Sequence, residues 1–168
     1  MIVGSGDIGT VLKEVDRDDV LFFASGVSNS RRLKESEYDR EQDLLLDQDL
    51  NKHIVYFSSL SVFYSQSRYA KHKREMERLI KNRFSKYTIV RIGNITWGKN
   101  PNTLINFIKG KLFREERLTV KNVYRYLIDK EEFLHWMGMI PTWSAELNIT
   151  GRRIKVKQIV EEIKKGLI

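Results

Sequence analysis

The sequence predicts an α/β fold with a mostly parallel sheet and helices on its faces. Three observations carry that expectation. A short strand runs through a glycine-rich turn into a helix at the start of the chain. A second unit, His53 to Arg91, reads as strand, turn, helix and strand. The same alternation of β-rich runs and helical patterns continues to the last residues. At 168 residues the chain fits one domain with a real core, residues 1–98 carrying these two units and 99–168 the remaining alternation.

Met1-Ile2-Val3 is a short strand leading into Gly4-Ser5-Gly6-Asp7-Ile8-Gly9, a complete GxGxxG, and Ile8, Val11, Leu12 and Val15 keep helical spacing behind it. Strand, glycine turn and helix are the setting in which this motif binds a dinucleotide. Gly4 allows the tight turn, Gly6 lets the backbone approach a pyrophosphate, and Gly9 lets helix and strand pack closely. The helix N-terminus would present N–H groups to the phosphates. Alone, the motif is equally a plain glycine-rich turn. Asp19 to Phe23 is the next strand, followed by the small-residue loop Ala24-Ser25-Gly26. Residues 28–36 are polar and basic, a loop; Glu37 to Leu50 predicts a helix carrying Tyr38, Leu44, Leu45, Leu46 and Leu50, its acids facing solvent.

The central unit opens with Ile54-Val55-Tyr56-Phe57, which ends in Ser58-Ser59. After a short polar connection come Tyr69-Ala70-Lys71-His72-Lys73 and a helical pattern with Met76, Leu79 and Ile80, then the strand Tyr87 to Arg91. A strand-end hydroxyl beside a tyrosine and a lysine on one helix face is a proton-transfer arrangement. Tyrosine ionises near ~10, and an ammonium one helical turn away favours the phenolate. Tyr126 and Lys130 share the spacing, but Tyr126 sits in a strand-like run and Asp129 reads as a helix cap, so only Tyr69 has the serine before it.

Further on, Gly93 to Gly98 reads as a turn, and Thr103, Leu104, Phe107 and Ile108 as a short amphipathic helix. Leu118-Thr119-Val120 and Tyr124 to Ile128 read as strands. Asp129 and Glu132 open a helix whose Phe133, Leu134, Trp136 and Met137 are assigned to the core. Ala145 to Ile149 is a late strand, and Val156, Ile159, Val160 and Ile163 mark one face of a final helix.

Taken together, Ser58 to Phe63, Tyr69 with Lys73, and Arg91-Ile92-Gly93-Asn94-Ile95 resemble the extended short-chain dehydrogenases/reductases, and within them the NAD-dependent epimerase/dehydratase branch acting on nucleotide sugars. The resemblance covers nearly the whole chain and implies a truncated Rossmann-like domain. It implies Tyr69 as acid/base, Lys73 as its tuner and ribose anchor, and Ser59, rather than Ser58, as the substrate-oxygen donor. The cofactor, NAD or NADP, would lie on Gly4, Gly6, Asp7, Ile8, Gly9, Ala24, Ser25, Gly26 and Lys73. Asn94 and Arg125 would contact the substrate, Arg125 through its pyrophosphate. Read on their own, Asn94 stabilises a turn and Arg125 is an exposed strand charge. The family's second and third strands have no counterpart between Gly9 and Asp19, so the acid that normally holds the adenine ribose is missing. Weak cofactor binding with little NAD/NADP discrimination follows, as does self-association through an uncovered sheet edge or the helix beginning near Tyr69.

Composition excludes several classes. There are no cysteines, so disulfides and thiolate metal sites are out, and His53, His72 and His135 share no metal-ligand spacing. No apolar run approaches the ~20 residues of a membrane span and the N-terminus resembles no signal peptide, which together suggest a cytoplasmic protein. Ser59 lacks a G-x-S-x-G elbow, so hydrolysis is not expected. The net charge of +8 gathers around one helix, at Arg68, Lys71, Lys73, Arg74, Arg78, Lys81, Arg83 and Lys86. That reads first as a solvated face, then as attraction for an anionic nucleotide substrate; nucleic acid is the less favoured partner. The alternative to an enzyme is a family-derived binding or regulatory module without turnover.

Overall fold

The computed structural model describes residues 1–27, 29–31 and 33–168; Ser28 and Arg32, within the expected loop, lie outside the described residues. In chain order come β1 (Ile2–Val3), α1 (Asp7–Leu12), β2 (Val20–Phe23), α2 (Glu35–Leu46) and β3 (His53–Ser59). A single 3₁₀ turn, Leu60–Phe63, leads to α3 (Arg68–Arg83), β4 (Lys86–Ile92) and the two-residue β5 (Asn94–Ile95). The rest is α4 (Leu104–Phe113), β6 (Tyr124–Ile128), α5 (Lys130–Gly138), β7 (Ala145–Ile149), β8 (Arg152–Lys155) and α6 (Val156–Lys164).

Five strands form a parallel sheet in the order β1-β2-β3-β4-β7, and a second sheet runs β5-β6-β8. β2 and β3 are buried on both faces, as parallel strands between helical layers must be. Strand alternation divides their side chains. Val20, Phe22, Val55 and Phe57 face a layer built on α1 and α5 through Val11, Leu12, Phe133 and Met137. Leu21, Phe23, Ile54 and Tyr56 face Leu45 of α2 and Met76 and Ile80 of α3. A third cluster joins α4 and α6 to the small sheet through Ile105, Ile108, Leu127, Ile154 and Ile159. The parallel strands all point their C-terminal ends toward one side, where the loops after β1, β2, β3 and β4 meet.

The α/β class and the mostly parallel sheet are therefore as expected, and four details are corrected. Residues 118–120 form no strand: Leu118 packs on the third cluster while Val120 is exposed, and neither gains a ladder partner among the described residues. β5 and β8 are strands although the sequence gives them no β pattern; β8 exists by antiparallel pairing with β6. Trp136 is 38 % exposed rather than core. Of the α2 acids assigned to solvent, Glu41 is completely buried. The basic face is also not uniformly solvated. Lys73 is buried, Arg68 pairs with Glu35, Arg74 caps the carbonyls of Val62 and Ser65, and Lys81 pairs with Glu146.

Candidate active site

At the C-terminal ends of the parallel strands lies an open cleft of about 540 Å³, within the usual size of ligand pockets. Its floor is the glycine turn after β1. Gly4 has φ +118°, and a Cβ there would strike the Ala24 carbonyl at 2.5 Å. A Cβ on Gly9 would come within 2.3 Å of the Gly4 carbonyl oxygen, so this glycine is what lets α1 sit against the turn. A Cβ on Gly6 would meet nothing within 4 Å. The three glycines thus divide their work: two shape the loop and the third leaves its backbone bare toward the cleft. Gly6, Asp7, Ile8, Ala24 and Gly26 line the cleft; Gly4, Gly9 and Ser25 do not, and Ser25 instead receives hydrogen bonds from Arg40.

Asp7 is used structurally. Its carboxylate accepts the Lys99 and Asn100 amide hydrogens at 2.9 and 3.0 Å, and its carbonyl accepts the Trp97 indole N–H. It ties the glycine turn to the loop that follows β5.

The opposite wall carries the other predicted residues. β3 delivers two serines to different surroundings, because successive strand residues face opposite ways. Ser58 is buried and donates to Glu77 at 2.6 Å, though part of it still borders the cleft. Ser59 lines the cleft, and its Oγ caps the 3₁₀ turn by accepting the Ser61 amide hydrogen at 3.1 Å. The helix-opening Ser67 caps α3 through the Ala70 amide and so aims Tyr69 and Lys73 at the same cleft. Tyr69 is half-buried in the wall, and the Lys73 Nζ stands 5.7 Å from its ring centre. Asn94 also lines the cleft, with its amide N–H held by the Tyr126 carbonyl at 3.1 Å. Arg125 does not line it; its guanidinium turns back onto the Tyr124 carbonyl, and its neighbour Tyr126 is the cleft residue of that strand.

Four residues that sequence reasoning passed over complete the site. Glu41 accepts hydrogen bonds from Lys73 at 2.9 Å, from the Tyr56 hydroxyl at 2.7 Å and from the Val27 amide at 2.9 Å, and its second oxygen lies 3.1 Å from His72 Nε2. Lys73 also donates to the Tyr56 hydroxyl at 2.8 Å and the Phe57 carbonyl at 3.2 Å, which occupies all three of its N–H groups. Burial pulls the Glu41 carboxyl upward, but the Lys73 ammonium and the hydrogen bonds hold it well below the usual carboxylate range. Burial pulls Lys73 down, and Glu41 more than offsets it, so the ammonium is held above its ordinary value. Burial and then Glu41 push the Tyr56 phenol far up. Tyr69 is itself raised: burial outweighs the lowering by Lys73, and Glu41 adds to the rise. The expected depression of Tyr69 by its lysine is not what this geometry gives. Ser61 is the fourth residue: its buried Oγ lines the cleft and has no hydrogen-bond partner among the described residues.

No protein-family model and no curated protein matches the sequence. Solved structures do resemble it. A dTDP-glucose 4,6-dehydratase from Bacillus anthracis in complex with NAD superposes with a TM-score of 0.68 at 16% identity, over 95% of this chain and 60% of that one. For a Thermus thermophilus UDP-glucose 4-epimerase in complex with NAD the values are 0.70, 12%, 94% and 65%. For a Bacillus anthracis dTDP-4-dehydrorhamnose reductase in complex with NADP they are 0.63, 15%, 93% and 65%. The chain thus spans less than two thirds of the length of each. What it has in common with them is the fold, a Rossmann-like parallel sheet flanked by helices.

Proposed function

We propose that this protein binds a nicotinamide dinucleotide along the glycine turn and acts on a nucleotide-linked sugar at Ser59, Tyr69 and Lys73, as an epimerase, dehydratase or reductase. The observation that carries the reading is that the bare Gly6 backbone and these three side chains line one cleft. The solved structures of the same fold are of NAD- or NADP-bound enzymes whose names specify dTDP- or UDP-linked sugars or a dTDP-linked dehydrorhamnose.

The group fits the residues present: the open position above Gly6 suits a pyrophosphate, and Ala24 and Gly26 line the cleft beside it. When bound, such a cofactor supplies hydride chemistry. The chain's own part is to hold a sugar oxygen between Ser59 and Tyr69 and to move a proton at Tyr69 Oη. Ser61, whose hydroxyl has no partner among the described residues, and Asn94 would hold the sugar, a reading supported by their lining the cleft. Arg31, whose guanidinium lies 4.8 Å over the Phe107 ring at the cleft, is a better candidate for an anionic nucleotide than Arg125, which turns away.

Lys73 departs from the expected role, because a ribose hydroxyl would have to displace one of its present partners. That favours weak binding, and so does the absence of strands that would contact the adenine ribose. Two lost neutral contacts of roughly 0.5–1.5 kcal/mol each correspond to about five- to 150-fold in affinity. The test is calorimetric titration with NADH and NADPH. We expect weak binding with little preference, abolished in Gly6→Val, whose side chain fits the folded chain but fills the floor of the cleft. Tight binding with strong 2′-phosphate selectivity would reject the weak-binding account. No binding at millimolar dinucleotide would reject the enzyme reading and leave a binding module without turnover.

A further inference from the structure

We propose that Glu41 is a positioning residue of this site: a carboxylate set into the core behind Tyr69 that holds the Lys73 ammonium against β3 and opposes its field at the phenol. The inference rests on reading Tyr69 as the proton-transfer group, and it specifies the state in which that group waits.

The geometry leaves Glu41 little freedom. One oxygen receives Lys73 and Tyr56, the other receives the Val27 amide and faces His72, so partners from β3, α3 and the loop after β2 fix it from several sides. Lys73 spends its N–H groups on Glu41, Tyr56 and the Phe57 carbonyl, and none remains for Tyr69. An unpaired ammonium 5.7 Å from a phenol ring would favour the phenolate. With a carboxylate in contact, the pair acts at that distance as a dipole, whose effect falls away faster than that of a charge. The other titratable groups around the pair are Tyr56 from β3, Tyr38 from α2, and His72, Tyr69 and Glu77 from α3. Glu77 is itself matched by Arg91 at 2.5 Å. Arg68, over the Tyr38 ring at 4.3 Å, is matched by Glu35. Lys73 is the cation that pulls Tyr69 toward ionisation, and burial together with Glu41 outweighs it. A phenol that waits neutral is set to give its proton to a substrate oxygen, the O–H bond breaking to leave a phenolate. To take a proton it must first lose its own.

The experiment is a tyrosinate absorbance titration of the unliganded full chain, with the Tyr69→Phe titration subtracted so that one of the seven tyrosines is isolated. Wild-type Tyr69 should ionise above the ordinary tyrosine value. Glu41→Gln should bring it down by at least one pH unit, about a tenfold gain in phenolate at a given pH. The double variant E41Q/K73M, which removes both charges, should return it to within about half a unit of wild type. An unmoved Tyr69 in Glu41→Gln, or a double variant displaced by a unit or more, overturns the proposal. If Glu41→Gln fails to fold, the double variant alone decides, since it leaves no unpaired buried charge. A chain that shows these shifts but binds no dinucleotide keeps Glu41's effect on the phenol and fails as an oxidoreductase. One that binds dinucleotide without the shifts does the reverse.

Discussion

Glu41 and Lys73 matter to stability independently of chemistry. Removing one member strands the other in the core, so Glu41→Leu should cost about 3–5 kcal/mol in urea unfolding, while a volume-matched apolar replacement of both should cost far less. A Glu41→Leu protein as stable as wild type would show that the pair contributes nothing. The pH dependence has a definite sign. Glu41 is held below its ordinary 4.5, so its contribution is present above that value and is lost as pH falls through the folded value. Lys73 is held above 10.5, so its contribution is full below that value and is lost as pH rises through the folded one. Melting temperatures from acid to alkali should therefore show a plateau in between, with an acid limb shallower in E41Q/K73M than in wild type. The sequence held a trace of this. Glu41 comes three residues after Tyr38 and four before Leu45, on the stripe that α2 buries. Its acidic neighbours made it look like one more solvated charge. His72, Lys73 and Glu77 occupy the buried stripe of α3 in the same way. That Ser59, Tyr69 and Lys73 would meet at one cleft was legible because a motif names residue types in order. Their partners were not, because a carboxylate 32 residues from its lysine leaves no local pattern.

At the level of elements, the glycine turn separates two effects that a motif merges. Gly9→Ala places a Cβ against the Gly4 carbonyl and must push α1 away, which we expect to cost roughly 1–3 kcal/mol or somewhat more in urea unfolding. Gly6→Val should unfold nearly as wild type, since its site is open. If the two variants lose equal stability, the division of roles among the glycines is wrong. Central strands and the bodies of the helices were readable, because burial against a layer imposes a period on the chain, although α2 runs Glu35–Leu46 and does not reach Leu50. β8 was not, since Arg-Arg-Ile-Lys offers a single apolar residue and becomes a strand only through its ladder with β6. Residues 118–120 fail in the opposite sense: they have β-forming side chains but no strand beside them.

For the whole molecule, the open side of the sheet is the feature with a consequence for assembly. Among the described residues β1 pairs with β2 alone and spans two residues, so its outer edge offers a short row of unpaired groups. We expect self-association, through that edge or through the exposed side of α3, and light scattering that reads a monomer over a wide concentration range would reject it. The latch between Asp7 and the loop after β5 has a different use. Trp97, half-buried 5.2 Å from Phe133, donates its indole N–H to Asp7, while Trp136 and Trp143 are 38 % and 68 % exposed. The molecule therefore carries a built-in optical gauge one residue from Gly6. With the two exposed indoles replaced by phenylalanine, the remaining emission comes from a single ring whose hydrogen bond is anchored in the glycine turn. Its intensity and colour should change when that turn is filled and stay constant in Gly6→Val, giving a label-free readout of occupancy.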